Sequence, residues 1–308
     1  MIKFVKEQKV FDIAGVKVGG QPGEYPTVLI GTIFYEGHKI VSDPVRGVFD
    51  KDKAGALVQK QEEISQLTGN PHVIDIFASY AEALCNYIDF IGEVTKAPFL
   101  VDSTSPQVRL AAIRHAVETG LRERAVYNSI DYNVKGEETS ALREMGVKST
   151  VILAYNPLDV WPEGKVKILK GDGIRKGLLK AAEEAGIGNI LVDTAVLDAP
   201  SISFSTEAIR LVKEEFGLPA GCGPANAITT WGKAKKGGLG PYAYDVCIAS
   251  SAVITQMGGA NFVLYGPIKY AEVAFPACAL TDALHTYYGR RIGIRPKTEE
   301  HPLAKIFK

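Results

Sequence analysis

The chain has 308 residues, and Lys+Arg and Asp+Glu both number 35, so the formal net charge is zero and nothing points to nucleic acid or an anionic membrane surface. Hydrophobic residues make up 46% and charged residues 23%, the composition of a globular chain with ample material for a core. The start, MIKFVKEQKV, lacks a secretory apolar stretch, and no apolar run is long enough to span a bilayer, so no membrane insertion is expected.

The segment VFDIAGVKVGGQP (10–22) alternates around Gly15 and breaks at Gly19-Gly20, which predicts a β-hairpin. Apolar runs then alternate with longer amphipathic ones. Strands are predicted at 27–35, 72–78, 98–103, 124–130, 149–155, 189–195, 219–224 and 261–266. Helices are predicted at 51–68, 80–95, 106–119, 137–145, 174–185, 205–216, 242–257 and 268–288. Runs that are apolar on both faces, with helices between them, indicate a parallel sheet. Eight such units fit a closed (β/α)8 TIM barrel, with residues 1–22 as a hairpin cap on its bottom. A doubly wound open sheet is the alternative, but no Gly-x-Gly-x-x-Gly opens the first helix. The whole chain, 1–308, then reads as one barrel domain. GKAKKGGLGPYAY (232–244) reads as a loop after strand seven, and residues 289–308 read as an exposed C-terminal arm.

In a barrel the C-terminal ends of all strands meet at one face, which carries the site. Tyr35, Asp102, Ser103, Asn128, Asn156, Asp193 and Asn226 fall at or just after strand ends. Asn offers a donor and an acceptor, and Asp accepts pairs of N–H bonds, so this set suits a flat heterocycle with both kinds of edge. A phosphate site would call for a Gly-rich turn and a Lys. Taken singly, several have plainer readings. Ser105 before Pro106 reads as a helix N-cap, and Asn156-Pro157 as turn chemistry. The joint pattern of Asp102, Asn128 and Asp193 lifts the functional reading, because each ends an apolar run and precedes Ser or Thr.

Other groups carry less. The four cysteines, Cys85, Cys222, Cys247 and Cys278, show no Cys-x-x-Cys pair, which fits a reducing cytoplasm and no bound metal. A Cys222 nucleophile with His38 or His285 as base lacks a local signature. His72 reads as structural at a strand start, and His115 as a helix surface or packing residue. Asp43-Pro44 with Arg46 reads as a loop placed to cover the site, and Lys233, Lys235 and Lys236 as a solvated run that could meet an anionic tail or an acidic partner.

The stretches FDIAGVKVGGQPGEYPTVLIGTIFY, GHKIV, TGNP, APFLVDSTS, AVYNSI, LAYNP and LVDTAV together carry a specific likeness. From about residue 4 to the last strand, the chain resembles the MtrH family, the H subunits of tetrahydromethanopterin S-methyltransferase. It resembles equally the soluble bacterial methylcorrinoid:tetrahydrofolate methyltransferases of methylamine and glycine betaine metabolism. The resemblance implies a pterin-binding (β/α)8 barrel in which Asp102, Asn128 and Asp193 bind the pterin edge. It also implies an Asn after strand seven near pterin N5, for which Asn226 is the nearest match. With it come methyl transfer between N5 and the cobalt of a corrinoid (cobalamin) on a separate protein, a homodimer, and no metal of the chain's own.

Neutral charge and the missing membrane segment lean this reading toward tetrahydrofolate, with tetrahydromethanopterin, in a larger coenzyme M methyltransferase complex, as the alternative. A dihydropteroate-synthase-like enzyme is a second alternative, although no Lys stands at a strand tip. A non-enzymatic holder of a corrinoid protein is a third, and it would not need Asp102, Asn128 and Asp193 together.

Overall fold

Val, Ile and Leu dominate seven of the eight apolar runs, the exception being PAGCGP (219–224), and such residues suit a strand buried on both faces. The computed structural model describes residues 2–173 and 175–306. Outside the described residues lie Met1, Ile174, where the sequence pattern starts a helix, and 307–308 at the end of the arm. The strands in chain order are β1 (Val10–Ile13), β2 (Val16–Gly19), β3 (Val28–Ile33), β4 (Val41–Asp43), β5 (Val48–Phe49) and β6 (His72–Phe77). There follow β7 (Phe99–Asp102), β8 (Ala125–Ile130), β9 (Ser149–Leu153), β10 (Asn189–Asp193), β11 (Ala220–Cys222) and β12 (Phe262–Pro267). β3, β6, β7, β8, β9, β10, β11 and β12 close into a parallel barrel, and β1 pairs antiparallel with β2.

The two-residue period of a strand sorts the core into two. One set of alternate residues points outward: Ile74, Val101, Tyr127, Ile152, Val192 and Val263 pack against the surrounding helices. The other set points inward. Val28, Ile30, Val73, Leu100, Val126, Val151, Leu191 and Phe262 fill the barrel, and Ile13 and Val18 of the hairpin join them from below. Full burial of such a side chain contributes roughly 1.5–3 kcal/mol.

Polar ties fix the bottom of the barrel. Asp282, on the helix Ala271–Gly289, accepts from Thr27 N and Thr27 Oγ1, both at 2.9 Å, and from Asn70 Nδ2 at 2.6 Å. Lys213, on the helix Ile202–Phe216, is fully buried and donates to Gly20 O at 3.0 Å and Asn261 Oδ1 at 2.5 Å. Its ammonium also lies 5.2 Å from the Phe4 ring. The hairpin is thereby tied to both a helix and the start of the last strand.

The structure departs from the sequence reading in four places, the first of them the short helix Gly232–Lys235 inside the stretch 232–244 read as a loop. A helix at Pro162–Lys170 is absent from the sequence pattern; Pro162 at its first turn starts it, and Gly171 ends it. The segment after β3 folds back as the small β4–β5 hairpin, where Asp43 Oδ1 caps Val45 N and Arg46 N. The C-terminal arm is not an exposed one. His301, Pro302 and Leu303 are buried, and the short helix Pro302–Ile306 packs on Ala271–Gly289 and Lys51–Thr68. Burial of these apolar and imidazole groups holds the arm down, with His301 Nε2 3.0 Å from Thr286 Oγ1.

Replacing Lys213 with Met should cost about 1–3 kcal/mol, because Asn261 Oδ1 loses a charged donor in a dry site. Burial pulls the Lys213 ammonium down to about 7, below the value it has in the unfolded chain. The unfolded state therefore binds more protons between about pH 7 and pH 10, and wild-type stability gains there as pH rises. Urea midpoints should show the wild type pulling further ahead of Lys213→Met at pH 9 than at pH 7. Equal midpoints at both pH values would show that the tie contributes nothing.

Candidate active site

On five strands the face turns polar two residues beyond an inward apolar side chain. Ile30 is followed by Thr32, Val73 by Asp75, Leu100 by Asp102, Val126 by Asn128 and Leu191 by Asp193. All five therefore point into the barrel one layer above the core, at the C-terminal mouth. Thr32 is in register with Asp75, and Asp102 with Asn128. Of the residues selected from sequence, Asp102, Asn128 and Asp193 are thus brought together. They keep some exposure to the mouth, whereas Asp75 is 2% exposed.

Burial governs the charges. It lifts the Asp193 carboxyl to about 6, opposed by the Ala195 N–H, which donates to Oδ1 at 2.7 Å, and by Lys165. It lifts Asp102 well above the usual carboxylate range, with Asp75 and Asp193 adding to the rise and Arg109 opposing it. It lifts Asp75 to about 7. Thr32 Oγ1 donates to Asp75 Oδ2 at 2.8 Å, and the Asn128 amide eases the charge without closing a bond to Oδ1, which has no hydrogen-bond partner.

Two cations hold the wall from behind. Arg109, 3% exposed on the helix Pro106–Glu118, donates to Ser103 O at 2.7 Å, Tyr127 Oη at 3.2 Å and Asp131 Oδ2 at 3.2 Å. It ties the loop after β7 to the loop after β8, and so sets Asp102 beside Asn128. Lys165, also 3% exposed, reaches from the helix Pro162–Lys170 to Thr194 O at 2.7 Å, Ala195 O at 2.8 Å and Ser205 Oγ at 3.0 Å. It pins the turn behind Asp193, where Ala195 adopts φ +52°.

On the far side of the mouth the last two strands carry glycine near their ends instead of an acid or amide. Gly223, just after β11, and Gly266, within β12, stand where other strands carry Asp or Asn. A Cβ on Gly223 would lie 3.5 Å from Asn226 Nδ2, and one on Gly266 3.9 Å from Asn226 Oδ1. Asn226 sits on the short helix Pro224–Ile228, exposed, and its amide has no hydrogen-bond partner among the described residues.

The other sequence-selected residues are engaged elsewhere. Asn156 donates from Nδ2 to Gly164 O at 3.1 Å and accepts from Leu158 N at 3.1 Å, so its amide closes its own loop. Ser103 is buried, and its Oγ accepts from Ser105 N at 3.3 Å. Ser105 caps the next helix through Val108 N. Tyr35 stacks on His38 at 4.3 Å beside the mouth. Burial pushes the thiol of Cys222, which faces the outer core, well up, and pulls the imidazoles of His38 and His285 down to about 4. His72 lies at the barrel bottom, 3.9 Å from Glu62, and His115 pairs with Asp89 at 2.6 Å. Lys233 and Lys236 are exposed. Among the described residues, no group of three or more His, Cys, Asp or Glu is arranged to hold a metal ion.

Sequence reasoning missed Asp75, Thr32, Arg109 and Lys165. A signal for Asp75 was present: in HVIDIF it lies two residues from both Val73 and Phe77, so a carboxylate shares the face of core residues.

Comparison with known proteins bears on the fold and the family separately. Dihydropteroate synthase from Yersinia pestis, solved with a pterine-sulfa conjugate, superposes with a TM-score of 0.62 at 14% identity, covering 91% of this chain and 100% of that one. The Xanthomonas albilineans enzyme in complex with 7,8-dihydropteroate gives 0.59 at 17% identity, covering 89% and 98%. These likenesses show the barrel fold alone. The H subunit of tetrahydromethanopterin S-methyltransferase from Methanothermobacter thermautotrophicus is 46% identical over 99% of this chain and 100% of its own length. The H subunit of a putative mtx methyltransferase from Methanosarcina mazei is 42% identical over 98% and 99%. The family model described as tetrahydromethanopterin S-methyltransferase MtrH subunit matches residues 6–297. The chain belongs to the MtrH family.

Proposed function

We propose that this chain is a methyltransferase that moves a methyl group between N5 of a tetrahydropterin, tetrahydromethanopterin in the first place, and a corrinoid carried by a partner protein. The observation that carries the proposal is the set of inward Asp102, Asn128 and Asp193 at the mouth of an MtrH-family barrel. The names of the relatives favour methanopterin over the folate that neutral charge had suggested. Those names also support assembly into a larger methyltransferase complex.

A tetrahydropterin ring presents N–H donors and a carbonyl along one edge. Asp102 and Asp193 accept such donors, and the Asn128 amide can meet either kind of group. The corrinoid supplies the cobalt that takes or gives the methyl. What the chain must do is orient the ring, leave N5 open to a bulky partner and adjust the charge at N5. Gly223 and Gly266 add no side chain of their own to that side of the mouth, and the free amide of Asn226 stands beside them. An amide can donate to N5 or accept from protonated N5, so it serves both directions of transfer.

A homodimer belongs to the same proposal. Val246 and Ile254 on the helix Ala243–Met257, and Leu280 and Leu284 on the adjoining helix, are each half-exposed or more and supply an apolar face for it. The four thiols are free, which supports a reducing cytoplasm as the setting. Among the described residues, no helix is long and apolar enough to cross a membrane.

Asp102→Ala and Asp193→Ala should each weaken tetrahydromethanopterin binding about ten- to a hundredfold, the loss of a charge-assisted hydrogen bond worth roughly 1.5–3 kcal/mol. Calorimetry on folded variants reads this directly, and wild-type affinity in both would remove the pterin from these positions. Asn226→Ala should instead leave affinity near wild type and slow single-turnover methyl transfer by roughly tenfold or more, as expected of a group that acts in the transition state. An unchanged transfer rate would return Asn226 to a plain turn role.

A further inference from the structure

Asp75 stands apart from the other acids of the mouth. It is 2% exposed, and it lies below the rim on the second barrel strand, between Thr32 of β3 and Asp102 of β7. Both cations near the site are engaged elsewhere. The Arg109 guanidinium donates to Ser103, Tyr127 and Asp131, and the Lys165 ammonium to Thr194, Ala195 and Ser205. Thr32 supplies one hydroxyl to Oδ2, and Oδ1 has no partner. An ionised Asp75 would therefore bury a negative charge beside two further carboxylates, Asp102 and Asp193, with only neutral groups, the Thr32 hydroxyl and the Asn128 amide, to ease it. A proton on Oδ1 removes that conflict and places an O–H at an atom that has no hydrogen-bond partner in the protein. Asp75 points inward on the same face as Asp102, Asn128 and Asp193, so a ligand seated against that layer would supply the acceptor.

We propose that Asp75 acts in its neutral, protonated form and that its Oδ1–H donates a hydrogen bond to an acceptor atom of the bound pterin ring. This rests on the methyl-transfer reading above. It gives the pocket what the other acids do not offer when ionised. With Asp75 neutral, one of the charges that raises Asp102 is gone while Arg109 still favours its ionised form, so Asp102 and Asp193 only accept, and Asn128 has one amide to share, whereas the ring edge also carries acceptors. Asp75 thus reads the acceptor on the ring while its neighbours read the donors. No bond beyond the hydrogen bond is made or broken in this role.

The test is tetrahydromethanopterin affinity by calorimetry from pH 6 to pH 8.5, for the wild type, Asp75→Ala and Asp75→Asn. An asparagine side chain can accept from Thr32 and donate from Nδ2, so it reproduces a neutral carboxyl and cannot ionise. Asp75→Ala should bind about tenfold or more weakly, since a buried donor is lost. Asp75→Asn should recover most of that loss. Because the protonated form binds, wild-type affinity should fall as pH rises past about 7, the value to which burial lifts this carboxyl. Asp75→Asn should lose the part of that slope centred near pH 7; Asp102, which the Asp75 charge raises, moves back toward lower pH in that variant, so any remaining slope lies lower than the wild-type one. Asp75→Asn binding as weakly as Asp75→Ala, or following the same pH profile as wild type, would overturn the role. If Asp75→Ala does not fold, the pH comparison with Asp75→Asn still decides. A wild type that binds no tetrahydropterin at any pH would remove the methyl-transfer reading and this role with it.

Discussion

Buried carboxylates dictate the architecture of the mouth. Asp75, Asp102 and Asp193 share one inward layer of a barrel whose layer below is entirely apolar. Burial raises all three, the Asp193 charge raises Asp75 further, and the charges of Asp75 and Asp193 raise Asp102 further. Such a layer cannot be closed over by more core, because three desolvated acids would then have no partners. It must stay open to something polar. The cations that offset part of the cost stand behind the wall: Arg109 under the third and fourth strand ends, Lys165 under the sixth. They fix where the acids point and leave the acids' front faces free.

The bottom of the barrel uses the same chemistry to the opposite end. Asp282 is also buried and also raised, to about 6, yet Thr27, Asn70 and Gln256 all press donors on it. Lys213 likewise has both Gly20 and Asn261. Donors on both oxygens let Asp282 lock a helix to the barrel, whereas Asp75, at the mouth, keeps one oxygen without a partner. Asp282 and Asp75 illustrate the two cases in one chain. The hairpin that sits on the bottom follows from this: it brings Gly20 within reach of Lys213 and plugs the interior with Ile13 and Val18.

Much of this was legible in the sequence. The eight runs gave the barrel strands to within a few residues, because each is apolar on both faces and bounded by turn residues. Asp102, Asn128 and Asp193 were legible because they end such runs. Asn156 and Ser103 occupy the same kind of position, but their polar atoms are taken up by Gly164, Leu158 and Ser105, contacts that sequence position alone does not reveal. Asp75 escaped notice for the opposite reason: it interrupts a run instead of ending one. Arg109 and Lys165 lie on helices, and only the tertiary fold shows that their long side chains turn inward to loop carbonyls. The helix Pro162–Lys170 was missed because Gly164 and two prolines nearby weaken its pattern, while the arm was misread because its apolar content is confined to a few residues.

The mouth is also asymmetric, and the asymmetry separates two tasks. The first to fourth strands and the sixth carry side chains that can grip a ring edge, from Thr32 round to Asp193. The seventh and eighth carry Gly223 and Gly266, and Gly266, at φ +81°, holds a backbone conformation that side chains rarely adopt. A planar ligand gripped along one edge must present its other edge to this bare side. Specificity for the heterocycle is therefore built from fixed side chains deep in the barrel, where burial strengthens each hydrogen bond. Reactivity is left to the rim, where Asn226 is exposed and a large partner meets no side-chain wall at Gly223 or Gly266. A Cβ added at Gly266 would come within 3.2 Å of Ala225 Cβ, and one at Gly223 within 3.5 Å of Asn226 Nδ2, so a side chain at either would press on the short helix that carries Asn226. For this reason the glycines belong to the site as much as the acids do.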